Sequence, residues 1–113
     1  MTASSPHFAS REFACRHCGD VKVSRDLLDA LERLREKIGR PLPIVSGYRC
    51  FAHNRAVGGA MRSQHRLGRA ADIPAGYASP HQASSAGFVG IGTKGAWAVH
   101  LDVRRGRAAR WTY

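Results

Sequence analysis

The chain has 113 residues, enough for one domain with a single modest hydrophobic core. An apolar fraction of 43% excludes a disordered chain, and no apolar run approaches the ~20 residues that span a bilayer. Eighteen Lys and Arg against eight Asp and Glu give a net charge of +10, a cationic surface that attracts nucleic acid, anionic lipid or the anionic polymers of a cell envelope. Zinc-finger spacing, an RNP-like signature and a helix-turn-helix pattern are all absent, so nucleic acid is not expected as the primary partner.

The first stretch, MTASSPHFASREFAC, has no basic region followed by a continuous apolar block, so no cleaved secretory signal is visible and the protein is expected to be made in the cytoplasm. Next come Cys15 and Cys18, with Cys50 further on, an odd number that rules out a complete disulfide framework. CRHC at 15–18 and CFAH at 50–53 have a spacing that can hold a structural zinc. A disulfide between Cys50 and an N-terminal cysteine, or three reduced and partly buried thiols, is the simpler account.

Residues 24–38 place Leu27, Leu31, Leu34 and Ile38 on one stripe at helical spacing, widened by Leu28. Ser24 is the expected N-cap, Gly39 the residue that ends the helix, and Pro41 and Pro43 prevent its continuation. Glu32, Arg33, Arg35, Glu36 and Lys37 are expected to form its solvated face. Residues 43–49 read as a short strand, 54–63 as a glycine-containing loop and 69–73 as another short strand. A polar, small-residue segment runs to Gly87, and 88–104 reads as two strands joined at Thr93 to Gly95. The fold class is therefore α+β: a small single domain over 1–113, with an N-terminal amphipathic helix packed on a mainly antiparallel sheet.

Period-two alternation assigns the faces of the two clearest strands. Ala70 and Asp72 share one face, and so do His100 and Asp102, while Val99, Leu101 and Val103 are expected to be buried. Gly68 lets the chain turn so that His65 can look back toward Asp72. Two histidines and an aspartate with an open fourth position suit a catalytic zinc. The same residues also suit an ordinary surface loop followed by a buried strand.

The segments SGYR (46–49), HNRAVGGA (53–60), SQHRLGRAADI (63–73) and VHLDVR (99–104), in that order, resemble the zinc D-Ala-D-Ala carboxypeptidase and murein endopeptidase family, above all its compact single-domain members. The motif S-x-H-x-x-G-x-A-x-D is complete as Ser63, His65, Gly68, Ala70 and Asp72. The resemblance implies one catalytic zinc ion held by His65, Asp72 and His100, with a peptide of bacterial peptidoglycan as substrate. It further implies that Arg49 binds substrate or the developing oxyanion; Ser63 and Gln64 are expected to bond to ligands, substrate or loop backbone, and Tyr48 to pack or to line the cleft. Many relatives carry an acidic residue three positions before the last histidine, where this chain has Trp97. Asp102 is then the candidate general base, its other role being to orient a ligand or to pair with Arg49 or Arg104. His81 is a weaker candidate for proton transfer. The resulting expectation is a monomeric zinc peptidase, carboxypeptidase or endopeptidase and in the manner of a phage endolysin, acting at the cell wall. The alternative is a zinc-stabilised wall-binding module without turnover.

Overall fold

A computed structural model describes residues 4–59 and 63–113. The amphipathic helix expected over 24–38 is α1, Arg25–Ile38, and its ends form as the sequence dictates. Ser24 Oγ accepts a hydrogen bond from Leu27 N–H, and Gly39 takes the left-handed conformation that closes the last turn. Leu27, Leu28, Ala30, Leu31 and Leu34 are buried. They share one core cluster with Ala71, Ile91 and Leu101 of the sheet. Two of the supposedly solvated charges do more: Glu32 accepts from the backbone N–H of His7, and Arg33 Nε donates to the carbonyl of Ala86. The helix is thereby tied to the N-terminal segment and to the stretch that leads into β2, Gly90–Lys94.

Four strands follow: β1 (Ala70–Asp72), β2 (Gly90–Lys94), β3 (Trp97–Asp102) and β4 (Ala109–Thr112). Their order in the sheet is β1-β3-β2-β4, with the first two pairings antiparallel and β2-β4 parallel. The α+β class with a largely antiparallel sheet is thus borne out, but the sheet is mixed. Two short helices were not anticipated: α2 (Phe51–Ala56), whose last residues fall in the expected loop, and α3 (Pro80–Ser85) in the polar segment. Residues 60–62 of that expected loop lie outside the described residues. No helix among the described residues is long and apolar enough to cross a membrane.

The expected strand at 43–49 is reduced to one bridge, Ser46 opposite Asp72. Pro43 offers no N–H, and a Cβ on Gly47 would stand 2.6 Å from Cα of Phe13, so this segment is pressed against the N-terminal turn instead of joining the ladder. The hairpin turn also falls later than expected, between Lys94 and Trp97, with Gly95 at φ 61°. A register shift lies between Gly92, paired with His100, and Thr93, paired with Ala98, so Val99 is the extra residue of β3. This bulge corrects the face assignment: Ala98 and Leu101 are buried in the core, whereas Val99 is half-buried and lines a cleft with Asp72 and Arg49.

Candidate metal centre

The register sets the site. Asp72 on β1 stands opposite His100 on β3, and Ala70 stands opposite Asp102. On the other side of β3, Gly92 stands opposite His100 and Gly90 opposite Asp102. Small residues therefore flank both functional side chains. A Cβ on Gly90 would lie 2.2 Å from Oδ2 of Asp102, and one on Gly92 would lie 2.6 Å from Nε1 of Trp111. Gly90→Ala is expected to destabilise the protein by about 1–3 kcal/mol through overpacking, read as a lowered unfolding midpoint in urea.

His65 arrives from a different element, a 3-10 turn over Gln64–Leu67. Ser63 Oγ accepts from His65 N–H at 3.2 Å, and Gly68 at φ 71° ends the turn where a Cβ would meet the carbonyl oxygen of Lys22 at 2.6 Å. The His65 ring is buried, and its Nδ1 lies 2.7 Å from the carbonyl oxygen of Gly47. A carbonyl can only accept, so Nδ1 carries the proton and Nε2 presents its lone pair. That nitrogen is buried without a hydrogen-bond partner among the described residues and faces Oδ1 of Asp72 at 3.3 Å.

His100 mirrors this arrangement with its nitrogens exchanged. Its Nε2 lies 2.8 Å from Oδ2 of Asp102, and its Nδ1 lies 3.2 Å from the same Oδ1 of Asp72. Ligand atoms of His65, Asp72 and His100 all lie within 4.8 Å of one another. A tetrahedral zinc with bonds of about 2.0–2.1 Å sets its ligand atoms about 3.3 Å apart. The separations of 3.3 and 3.2 Å around Oδ1 match that spacing. The donor set, the buried lone pair and the fixed imidazoles behind it therefore fit a zinc ion.

Arg49 Nη2 donates to the other oxygen of Asp72 at 3.1 Å, which turns Oδ1 toward the histidines. Burial works to raise the Asp72 pKa, but the His100 and His65 imidazoles beside it outweigh burial and hold the carboxyl well below the usual carboxylate range. Asp102 is wholly buried: Arg104 grips it through Nε to Oδ1 at 2.9 Å and Nη2 to Oδ2 at 2.7 Å, and its backbone N–H adds a third bond. Burial again opposes ionisation there, and Arg104 and then His100 keep the carboxyl well below its ordinary range. His100 is pulled down by burial but more strongly up by Asp102 and Asp72, so its pKa is raised.

These shifts give opposite pH trends for zinc binding and for the metal-free fold. A raised His100 pKa stabilises the metal-free fold below the unfolded value near ~6.5, and this contribution is lost as pH rises through the folded value. The depressed Asp72 and Asp102 values contribute above ~3.9 and are lost as pH falls through the folded values. Zinc competes with the His100 proton, so its affinity is expected to fall by about tenfold per pH unit once His100 protonates. Metal-free protein should meanwhile unfold at a higher midpoint at pH ~6 than at pH ~8. Zinc titrations and urea unfolding at both pH values check the pair.

A pocket of about 280 Å³ opens over the cluster, lined by Arg49, Ser63, Gln64, His65, His100 and Arg104, with Gly59, Trp111 and Tyr113. Arg49, Ser63 and Gln64 are thus brought to the site. Tyr48 is not among the lining residues; it is half-buried, and its N–H donates to the carbonyl of Phe13. His81 is exposed on α3 and lines no part of the pocket, and Trp97 is exposed at the start of β3. Trp111 of β4 and Tyr113 just beyond it join the site without having been expected there. Trp111 packs on His100 with ring centroids 4.9 Å apart, and the alternation in RWTY was the signal for it.

A small α+β domain thus brings two histidines and an aspartate together beneath a cationic pocket, a donor set that could hold a metal ion. A family model described as Peptidase M15 matches residues 6–102. The chain belongs to the peptidase M15 family, as its likeness to the zinc D-Ala-D-Ala carboxypeptidases implied. No curated protein matches it.

Proposed function

We propose that the protein is a zinc-dependent peptidase of bacterial peptidoglycan, its 113 residues forming one peptidase domain that cuts a stem peptide or a crosslink. The observation that carries this reading is the convergence of His65, Asp72 and His100 at tetrahedral spacing in a chain of a peptidase family. In this reading Nε2 of His65, Oδ1 of Asp72 and Nδ1 of His100 hold the ion. A bound zinc supplies a Lewis acid that polarises the scissile carbonyl and makes water nucleophilic at neutral pH. The chain's own groups do the rest. Arg49 and Arg104 give the pocket two guanidinium groups and suit it to a carboxylate-bearing peptide, or to the oxyanion that develops during attack. Ser63 fixes the turn that carries His65, Gln64 lines the pocket, and Trp111 and Tyr113 form an aromatic wall beside His100.

Asp102 orients a ligand and pairs with Arg104 rather than serving as the base. A base needs a free lone pair within reach of the pocket, whereas both oxygens of this buried carboxylate are engaged by Arg104 and His100. It therefore orients His100 and fixes the nitrogen presented to the metal. Tyr48 supports the N-terminal packing through its backbone. The net charge of +10 favours approach to the anionic polymers of the envelope, where a wall-lytic enzyme of the phage type would act.

A wall-binding module without turnover is favoured by one observation: Trp97 occupies the position at which many relatives carry an acid, and no Asp or Glu is among the described residues that line the pocket. Mass analysis of fragments from purified peptidoglycan separates the two. The peptidase releases terminal D-alanine or splits crosslinked muropeptides. The module retains zinc and binds the wall with no new fragment.

A further inference from the structure

The three cysteines, which the peptidase reading leaves unused, form a second cluster, drawn from segments on both sides of Arg49 in sequence. Their sulfur atoms all lie within 4.8 Å of one another, and all three are free thiols. Two elements build the group. Cys15 and Cys18 belong to a tight turn: Gly19 N–H donates to the carbonyl of Cys15, Cys15 N–H donates to that of Asp20, and Gly19 takes φ 78°. Cys50 immediately precedes α2, and its sulfur accepts from the backbone N–H of His53 at 3.4 Å. The backbone N–H of Cys50 in turn donates to Sγ of Cys15 at 3.4 Å, so amides already aim at sulfurs in the way that stabilises thiolates.

Two imidazoles border the cluster. His17 Nδ1 lies 3.6 Å from Sγ of Cys50, and the rings of His17 and His53 stack with centroids 6.2 Å apart and planes 9° from parallel. Three thiols and a neighbouring imidazole are the donor set of a closed, structural zinc site, and sulfurs on a tetrahedral ion with Zn–S of about 2.3 Å stand about 3.8 Å apart. The sulfurs, all within 4.8 Å of one another, need to draw together by no more than about 1 Å to reach that spacing. A disulfide would use two sulfurs and strand the third.

We propose that Cys15, Cys18 and Cys50, closed by the imidazole of His17 or His53, hold a second, structural zinc ion distinct from the one at His65, Asp72 and His100. Such an ion joins the N-terminal turn to the segment that carries Arg49, the residue directly before Cys50. It has no open coordination position, so it stabilises the fold and holds the arginine in place without taking part in hydrolysis.

The test uses the full chain purified under reducing conditions, with metal content measured by elemental mass spectrometry. The native protein is expected to carry two zinc equivalents, His65→Ala one, and Cys50→Ser one at most. In the His65→Ala protein, cobalt(II) exchanged for the remaining zinc is expected to give the near-ultraviolet charge-transfer absorption of thiolate ligation, and the further His17→Ala, His53→Ala replacement is expected to change the visible ligand-field bands. Cysteine-modifying reagent should leave all three thiols of the native protein unreacted until a chelator is added. A His65→Ala protein without zinc, a cobalt form without the thiolate band, or thiols equally reactive with and without chelator would overturn the proposal. The thiol measurement needs no substitution, so it decides the matter even if the cysteine variant does not fold.

Discussion

His65→Ala is expected to abolish measurable hydrolysis of peptidoglycan peptides, a loss larger than the about 100-fold that follows removal of a group supporting a metal ligand. His65 brings the one buried nitrogen of the site with no hydrogen-bond partner among the described residues, 3.3 Å from Oδ1 of Asp72. Its replacement leaves Asp72 and His100 alone, and two ligands do not make the three-ligand site with an open position that catalytic zinc requires. Rate measurements with native and variant protein at equal, saturating zinc check the prediction. Added zinc should not rescue the variant.

Asp102→Asn separates orientation from proton transfer. If the carboxylate acts by fixing His100, the variant binds zinc about 10- to 100-fold more weakly and recovers most of its turnover at saturating zinc. A general base would give the opposite split, with zinc affinity intact and kcat lost by about 10²–10⁴ at every zinc concentration. Asp102→Ala is expected to destabilise the fold by about 3 kcal/mol, because Arg104 and His100 lose a wholly buried partner. Zinc titration, rates at saturating zinc and urea unfolding of the two variants give all three numbers.

The parts of the fold legible from sequence were those in which local signals and burial agree. Ser24, the leucine stripe and Gly39 all point to one helix, and α1 has those ends. The alternation around Asp72 and His100 was readable because each residue sits in a strand with a buried opposite face, as Ala71 and Leu101 show. It failed at Val99, where a bulge, a tertiary feature without a local mark, moves one residue across the sheet. α3 had a readable signal: Ser79 and Gln82 bond reciprocally across Pro80, a capping box written in S-P-x-Q. α2 had none of this kind, since its cap is the thiol of Cys50.

The site was legible as residue types but not as a hydrogen-bonded arrangement. Ser63, His65, Gly68, Ala70 and Asp72 form one local motif, so their likeness to a family carries much of the geometry. The carbonyl of Gly47 behind His65 and the emptiness of Gly90 beside Asp102 depend on contacts between distant segments, and no spacing rule announces them. The sequence offers Arg104 as a partner for Asp102, but its bidentate grip on a wholly buried carboxylate, which bears on the role of Asp102, appears only in the folded chain.

The most direct measurement is hydrolysis of purified peptidoglycan as zinc is titrated back into metal-free protein, with the occupancy of the two-histidine site followed in the same samples. The account predicts no cleavage without metal and a rate that rises in proportion to occupancy to a plateau. Cleavage at full rate by metal-free protein, or none when the site is filled, would contradict it.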